Sequence, residues 1–355
     1  NVYNPVDVIG DADNDRLRDA VDVVLADDAV GSAVVLAAPT ATIDFDRLAA
    51  DVADLQSRHD LPVTTCLMGG ERAREADDVL TEAGIPNYFD PARAVESLGT
   101  LERYRAIRDR ERREPTTYDV DREAADAVLN RARDRGTTRL GVEAMPLLDA
   151  YGIPTPAGEV VASPTEALDA ADRIGDPVVM KIVSPDILHK SDIGGVKVGV
   201  PHEEVYDAYE DLIARARNYQ PDATILGVQV QERVDLESGV ETILGTNRDP
   251  QFGPLVLFGL GGIFVEVMED TAVRLAPVAE AEARAMTEEI RASPLLSGAR
   301  GRDPVDRAAI AETIGRLSQL VTDFPEILEL DVNPLVVRPD GVEAVDLRLT
   351  IEPES

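Results

Sequence analysis

The spacing of apolar residues divides the chain into two patterned stretches. In the first, short apolar runs alternate with helical faces. Residues 6–9 predict a strand, ended by Gly10-Asp11-Ala12, and Leu17, Ala20, Val21, Val24 and Leu25 then recur along one helical face. The pattern continues with a buried strand over 33–37, a helix over 44–58, a strand after Pro62 and a helix over 71–83. A short strand over 86–89 and a helix from Pro91 into Arg105 complete it. Strands separated by helices imply a parallel sheet covered on both faces. Residues 1–106 are therefore expected to form a flavodoxin-like α/β domain. Residues 107–121, dense in Arg, Glu and Asp around Pro115, predict a linker.

The pattern restarts at Arg122, and residues 122–355 predict a second, larger α/β domain. Helices are expected over 122–135 and 141–151, then, after a further strand, a helix over 164–174 and a strand over 177–183. A helix from Pro201 to Tyr219 leads into β-rich runs at 224–234, 241–244 and 255–267. A helical region over 279–320 precedes two final strands, 327–337 and 342–347. No internal repeat or low-complexity run interrupts this order.

Charge narrows the classes of partner. The formal net charge is −33, spread along the whole chain, which disfavours nucleic acid and anionic membrane. A solvated acidic surface suits a salt-rich cytoplasm, where self-repulsion is screened, and implies a halophilic (haloarchaeal) origin. No run approaches the roughly 20 apolar residues of a membrane helix, and no signal segment opens the chain. The single Cys66 cannot form an internal disulfide, so a cytoplasmic location is expected. The chain opens on Asn1 rather than Met, which reads as a piece of a longer protein.

Of 35 basic residues only three are lysines, Lys181, Lys190 and Lys197, all within one short segment. Arginine has replaced lysine elsewhere, so this segment requires a compact ammonium. Lys181 sits on a strand, followed by a polar loop with Gly194-Gly195 and then Val196-Lys197. A strand lysine beside a glycine loop makes a phosphate clamp, because glycines let N–H groups approach oxygens. A hairpin with a glycine turn would share the pattern; the lysine concentration favours the clamp. Further on, Val228 to Val234 runs as a strand towards Gly239-Val240-Glu241, which fits a nucleoside hinge or an ordinary edge strand. Near the end, period two puts Asp331 and Asn333 on one strand face. Asp346 is expected on a second strand that pairs with the first. Oxygens from adjacent strands, completed by phosphate and water, are how Mg²⁺ is held; a solvated strand face is the alternative.

These segments, in this order, resemble the ATP-grasp fold and in particular the ADP-forming acetyl-CoA synthetases. The stretches "ILHKSDIGGV", "RDPQFGPLV" with "GLGGIFVEV", and "LELDVNPL" carry the resemblance over about residues 122–347. The first hundred residues resemble the small flavodoxin-like domain of the succinyl-CoA synthetase β subunit. The resemblance implies a two-lobed ATP-grasp domain after the flavodoxin-like one. It implies that Lys181 contacts ATP phosphates, that Gly194, Gly195 and Val196 close over them, and that Glu232 and Val234 form the adenine hinge. It further implies that Glu241 holds the ribose, that Asn333 and Asp346 bind Mg²⁺, and that Asp331 faces an arriving phosphohistidine. Glu266 would stand near the reacting phosphate. The expected reaction is acyl-CoA + ADP + phosphate ⇌ acid + ATP + CoA.

The CoA-binding and phosphohistidine domains that this reaction needs are absent here, so they are expected as partners, in an oligomer. His189, inside the clamp loop, is the expected phosphoryl relay; His59 and His202 are expected on the surface. The helix opening near Asp13 matches one that cradles the phosphohistidine, although Asp11 and Asp13 are odd companions for an anion unless they cap it. The rival reading is a regulatory ATP-grasp module of a protein acetyltransferase. A ligase making amide bonds fits the motifs less well.

Overall fold

The computed structural model describes residues 3–109, 114–187, 190–261, 270–298 and 303–353. Contacts divide the chain into two compact units, Asn1–Arg112 and Arg113–Ser355.

The first unit is built from α1 (Asn14–Leu25), β1 (Ala33–Ala37), α2 (Phe45–His59), β2 (Val63–Leu67), α3 (Arg74–Glu82) and α4 (Pro91–Arg108). Aspartates start three of the helices: the Asp13, Asp44 and Asp90 side chains accept free N–H groups of the first turns. β1 and β2 pair in parallel, from Ala33 with Val63 to Ala37 with Leu67. Leu48, Val52 and Leu55 of α2 and Leu80 of α3 pack against them. Among the described residues the expected larger sheet is not formed. Residues 6–9 are irregular, since Ile9 takes a positive φ of 69° and both Val6 and Ile9 stay exposed. Residues 86–89 contribute one parallel bridge, Thr65 with Asn87, and the Phe89 side chain stands in solvent. α4 continues through Arg108, past the expected end of the domain.

The second unit opens with α5 (Arg122–Asp134), the short β3 (Arg139–Leu140) and α6 (Met145–Ala150). Then come β4 (Gly158–Val161), α7 (Pro164–Ile174), β5 (Val178–Val183), β6 (Val196–Val200), α8 (Val205–Tyr219) and β7 (Gly227–Glu232). These four strands form one antiparallel sheet in the order β4-β7-β5-β6. Met180 and Ile182 of β5 and Val228 and Val230 of β7 face α7 and α8 and are fully buried. Period two therefore turns Lys181, Gln229 and Gln231 to the opposite face.

The remainder is β8 (Val240–Asp249), β9 (Gly253–Leu260), β10 (Thr271–Leu275), α9 (Glu280–Glu289), α10 (Ser293–Leu296), α11 (Arg307–Asp323), β11 (Ile327–Arg338), β12 (Gly341–Ala344) and β13 (Leu347–Ile351). Its seven-stranded sheet runs β10-β9-β8-β11-β13-β3, with β12 also paired to β11. β10 escaped the sequence pattern, and the expected long helical region is divided among α9, α10 and α11. The chain passes from the smaller sheet to the larger between β7 and β8, so residues 233–239 connect the two lobes.

The final strand expected over 342–347 is in fact two. β12 pairs with residues 335–338 of β11 and β13 with residues 327–332, leaving Val345 and Asp346 between them. The cause lies in β11, whose register shifts between Val332 and Leu335, and Pro334 has no N–H for the ladder.

Candidate functional site

Lys181 occupies the middle of β5 and is only 6% exposed. Its Nζ reaches from the smaller lobe to Val345 O of the larger at 3.1 Å, and Gln231 Nε2 donates to the same carbonyl at 3.2 Å. The break between β12 and β13 is thus gripped by the smaller sheet. Burial pushes the Lys181 ammonium below the ordinary lysine range; Asp346 opposes this and Lys190 adds to it. A buried cation so placed is stabilised by an anion. Beside it the Gln229 Oε1 atom is buried with no hydrogen-bond partner, a deficit of about 1–3 kcal/mol if left unmet.

The acids come together at the same break. Glu329, Asp331 and Asn333 share the more open face of β11, while Leu330 and Val332 are fully buried on the other. Asn333 N–H donates to Asp346 O at 3.3 Å, and Leu347 N–H donates to Asp346 Oδ1 at 2.9 Å. Asp331 lies between Gly245 of β8 and Arg348 of β13. Burial raises its carboxyl above the usual carboxylate range; Arg348 opposes the rise, and Glu329 and Asp346 add to it. Among the described residues no group of three or more His, Cys, Asp or Glu is placed to hold a metal. Asp346 and Asn333 could still serve Mg²⁺, which binds few protein oxygens and takes the rest from phosphate and water.

The clamp loop is tightly wound. Gly195 N–H donates to Lys190 O at 2.7 Å and Gly194 N–H to Ser191 O at 3.0 Å. Gly195 must lack a side chain, because a Cβ there would stand 2.8 Å from Lys190 O. Val196 pairs with Lys181 in the ladder. Lys197 turns away to Asp211 of α8 at 2.8 Å, so the lysine cluster as a whole is not the clamp.

Glu232 ends β7, exposed, and its N–H donates to Ala157 O at 2.8 Å. Val234 follows in the lobe connection. Glu241 lies in β8 of the other sheet, paired with Val336. The three therefore flank the passage between lobes. His189 and Glu266 lie outside the described residues. His59 is largely covered, with Nε2 2.6 Å from Asp22 Oδ1. Asp13 accepts from Arg16 N–H at 2.9 Å, a cap, and Asp11 pairs with Arg16 at 3.1 Å. Sequence reasoning passed over Gln229, Gln231 and the Val345 carbonyl. The alternation Val228-Gln229-Val230-Gln231 carried a signal for the two glutamines.

Residues 131–351 match the family description "ATP-grasp domain". The whole chain is 40% identical to acetate–CoA ligase [ADP-forming] I of Archaeoglobus fulgidus, covering 51% of that protein. The chain thus spans about half the length of the first curated relatives it matches. It is 44% identical to the acetate–CoA ligase [ADP-forming] I subunit beta of Pyrococcus furiosus over 65% of this chain and 100% of that one. Among solved structures it resembles the dinucleotide-forming acetyl-coenzyme A synthetase 1 of Ca. Korarchaeum cryptofilum in complex with coenzyme A and Mg-AMPPCP. In that structure the phosphohistidine segment points towards the nucleotide-binding site. The match has a TM-score of 0.57 and 40% identity, over 64% of this chain and 100% of that one. With the family description spanning most of the second unit and a complete β subunit matched, the chain belongs to the ATP-grasp family, among the β parts of the ADP-forming acetate–CoA ligases.

Proposed function

We propose that this chain is the nucleotide-handling part of an ADP-forming acyl-CoA ligase, interconverting acyl-CoA, ADP and phosphate with acid, ATP and CoA. The observation that carries this reading is the junction of buried Lys181 with the Asn333–Asp346 break. A cation and metal-competent oxygens meet there between two lobes. In this reading Lys181 and the Gly194-Gly195-Val196 loop hold the phosphates. Glu232 and Val234 take adenine, Glu241 takes ribose, and Asn333 and Asp346 hold Mg²⁺. That ion neutralises phosphate charge when bound, and the protein otherwise works by positioning. Asp331 faces the histidine that carries the phosphoryl group, with His189 as relay and Glu266 near the transferred phosphate. CoA-binding and phosphohistidine domains are the partners, in an oligomer. The setting is a salt-rich cytoplasm; no helix among the described residues is long and apolar enough to cross a membrane.

The test is Mg²⁺-dependent ATP binding followed by transfer of γ-phosphate label, in about molar KCl to screen the charge. Wild type should bind Mg·ATP, and Asp346→Ala should lose the Mg²⁺ dependence. Acid-labile label on wild type but not on His189→Ala would support the relay. A wild-type chain that binds no adenine nucleotide would end this reading.

A further inference from the structure

Helix α5 and its C-cap turn Val128, Arg131, Ala132 and Arg135 to one side, the i, i+3, i+4, i+7 spacing of a single helical face. That face lines a cavity of about 320 Å³, together with Thr137, Leu140 and Glu143 of the same lobe and Val160 and Leu226 of the smaller lobe. The side chains of Arg131, Arg135, Thr137 and Glu143 make no hydrogen bond or ion pair among the described residues. With 68 acids to 35 bases in the chain, partners for two arginines are plentiful. Arg122 and Arg133 of the same helix have them, in Asp323 and Glu326. A helix C-terminus favours cations but does not choose their face. Like charges one turn apart repel, yet the unpaired arginines are the two that share this cavity.

Val160 pairs with Gln229, and Gln229 with Lys181, so the three share one face of the smaller sheet. The cavity lies at the edge-strand end of that row, and none of its residues belongs to the nucleotide set above. We propose that it is a second ligand site, for a small amphoteric molecule: an oxyanion and an ammonium joined by a short apolar stem. Arg131 and Arg135 take the oxyanion, a carboxylate or a phosphate, on their guanidinium forks, and Thr137 adds a hydroxyl. Glu143 takes the ammonium, and an anion without one meets its carboxylate unfavourably. Leu140, Val160 and Leu226 cover the stem, in a volume within the range of small-molecule sites. Leu226 precedes β7, whose other end, Glu232, leads into the lobe connection. An occupant therefore touches both lobes away from that connection and opposes their separation.

The test follows the arginine Nε–H NMR signals of the whole chain, at one fixed ionic strength near molar KCl and without nucleotide. Arg131→Gln and Arg135→Gln identify the two signals, and both residues are exposed, so these variants should keep the wild-type melting temperature. The probes are γ-aminobutyrate and phosphoethanolamine, with butyrate and methyl phosphate as counterparts that lack the ammonium. At least one amphoteric probe should shift both signals saturably at millimolar concentration; the one that does so tells carboxylate from phosphate. Each arginine variant should weaken that probe by about tenfold, the worth of a charge-assisted hydrogen bond. Glu143→Gln should weaken it too but strengthen its counterpart, a reversal that a merely structural role would not give. Val160→Phe, which fills the cavity from the edge strand and leaves the arginines in place, should abolish binding. Neither probe shifting the signals would overturn the inference, as would undiminished binding to the Arg131→Gln/Arg135→Gln double variant or a counterpart that binds wild type equally well.

Discussion

Lys181 and Asp331 have displaced titrations for one reason, burial at the lobe junction, and the signs are opposite. For Lys181 burial favours the neutral amine, so its folded pKa lies below the ordinary 10.5. A bound phosphate favours the charged form, so nucleotide affinity should fall as pH rises through that lowered pKa. Mg·ADP affinity measured against pH should therefore lose strength before the ordinary lysine range is reached. A flat profile up to pH 10.5 would contradict this. For Asp331 burial favours the protonated acid. Its contribution to stability is present below the unfolded pKa and is lost as pH rises through the higher folded one. Asp331→Asn should accordingly raise the melting temperature at neutral pH while impairing phosphoryl transfer. A lower melting temperature would show that its pairing with Arg348 outweighs the burial cost. Residue type made Lys181 legible in the sequence, because lysine is so rare here. The placement of Lys190 was not legible, since Gly141 comes near it only through folding of the two lobes.

The elements that carry the site were mostly legible, and the exceptions share a cause. Helices announced themselves by apolar spacing, and β5, β7 and β11 by runs that fill both lobes. The break at Val345 and Asp346 was hidden because residues 342–347 read as one short, mostly apolar run, interrupted only by Glu343 and Asp346. Only the register shift in β11 divides them, and pairing is not a local property. Residues 6–9 have the composition of a strand, yet among the described residues no strand pairs with them. The glycine loop invites a sharper test, because its conformation depends on a close backbone approach. Gly195→Ala would set a methyl 2.8 Å from Lys190 O and 2.9 Å from Ile182 Cγ2. Relief of that clash should cost about 1–3 kcal/mol and shift the loop that carries Lys190. Thermal unfolding and Mg·ATP titration should both register the change. A variant with wild-type values in both would mean that the loop tolerates the methyl and does not depend on this approach.

At the scale of the whole molecule, local attraction works against global repulsion. Surface pairs such as Arg173 with Glu159 at 2.6 Å and Arg284 with Glu280 at 2.8 Å are exposed, and each contributes at most about 1 kcal/mol. They leave 33 negative charges unbalanced by the 35 basic residues present. Unfolding moves those charges apart, so their repulsion weighs against the compact state. Screening decides how heavily: the Debye length is about 3 Å in molar salt and about 30 Å at 0.01 M. Moving the protein from molar KCl to millimolar buffer should therefore lower its melting temperature, progressively and reversibly. NaCl at equal ionic strength should restore much of the loss, whereas low concentrations of an uncharged sugar should not. The Lys181 site should respond in the opposite sense once the fold is held, because salt also screens the attraction between its ammonium and a phosphate. The decisive observation is a melting curve taken across ionic strength. A melting temperature indifferent to salt would mean that the acidic surface does not limit stability, and the inference of a salt-rich setting would fall with it.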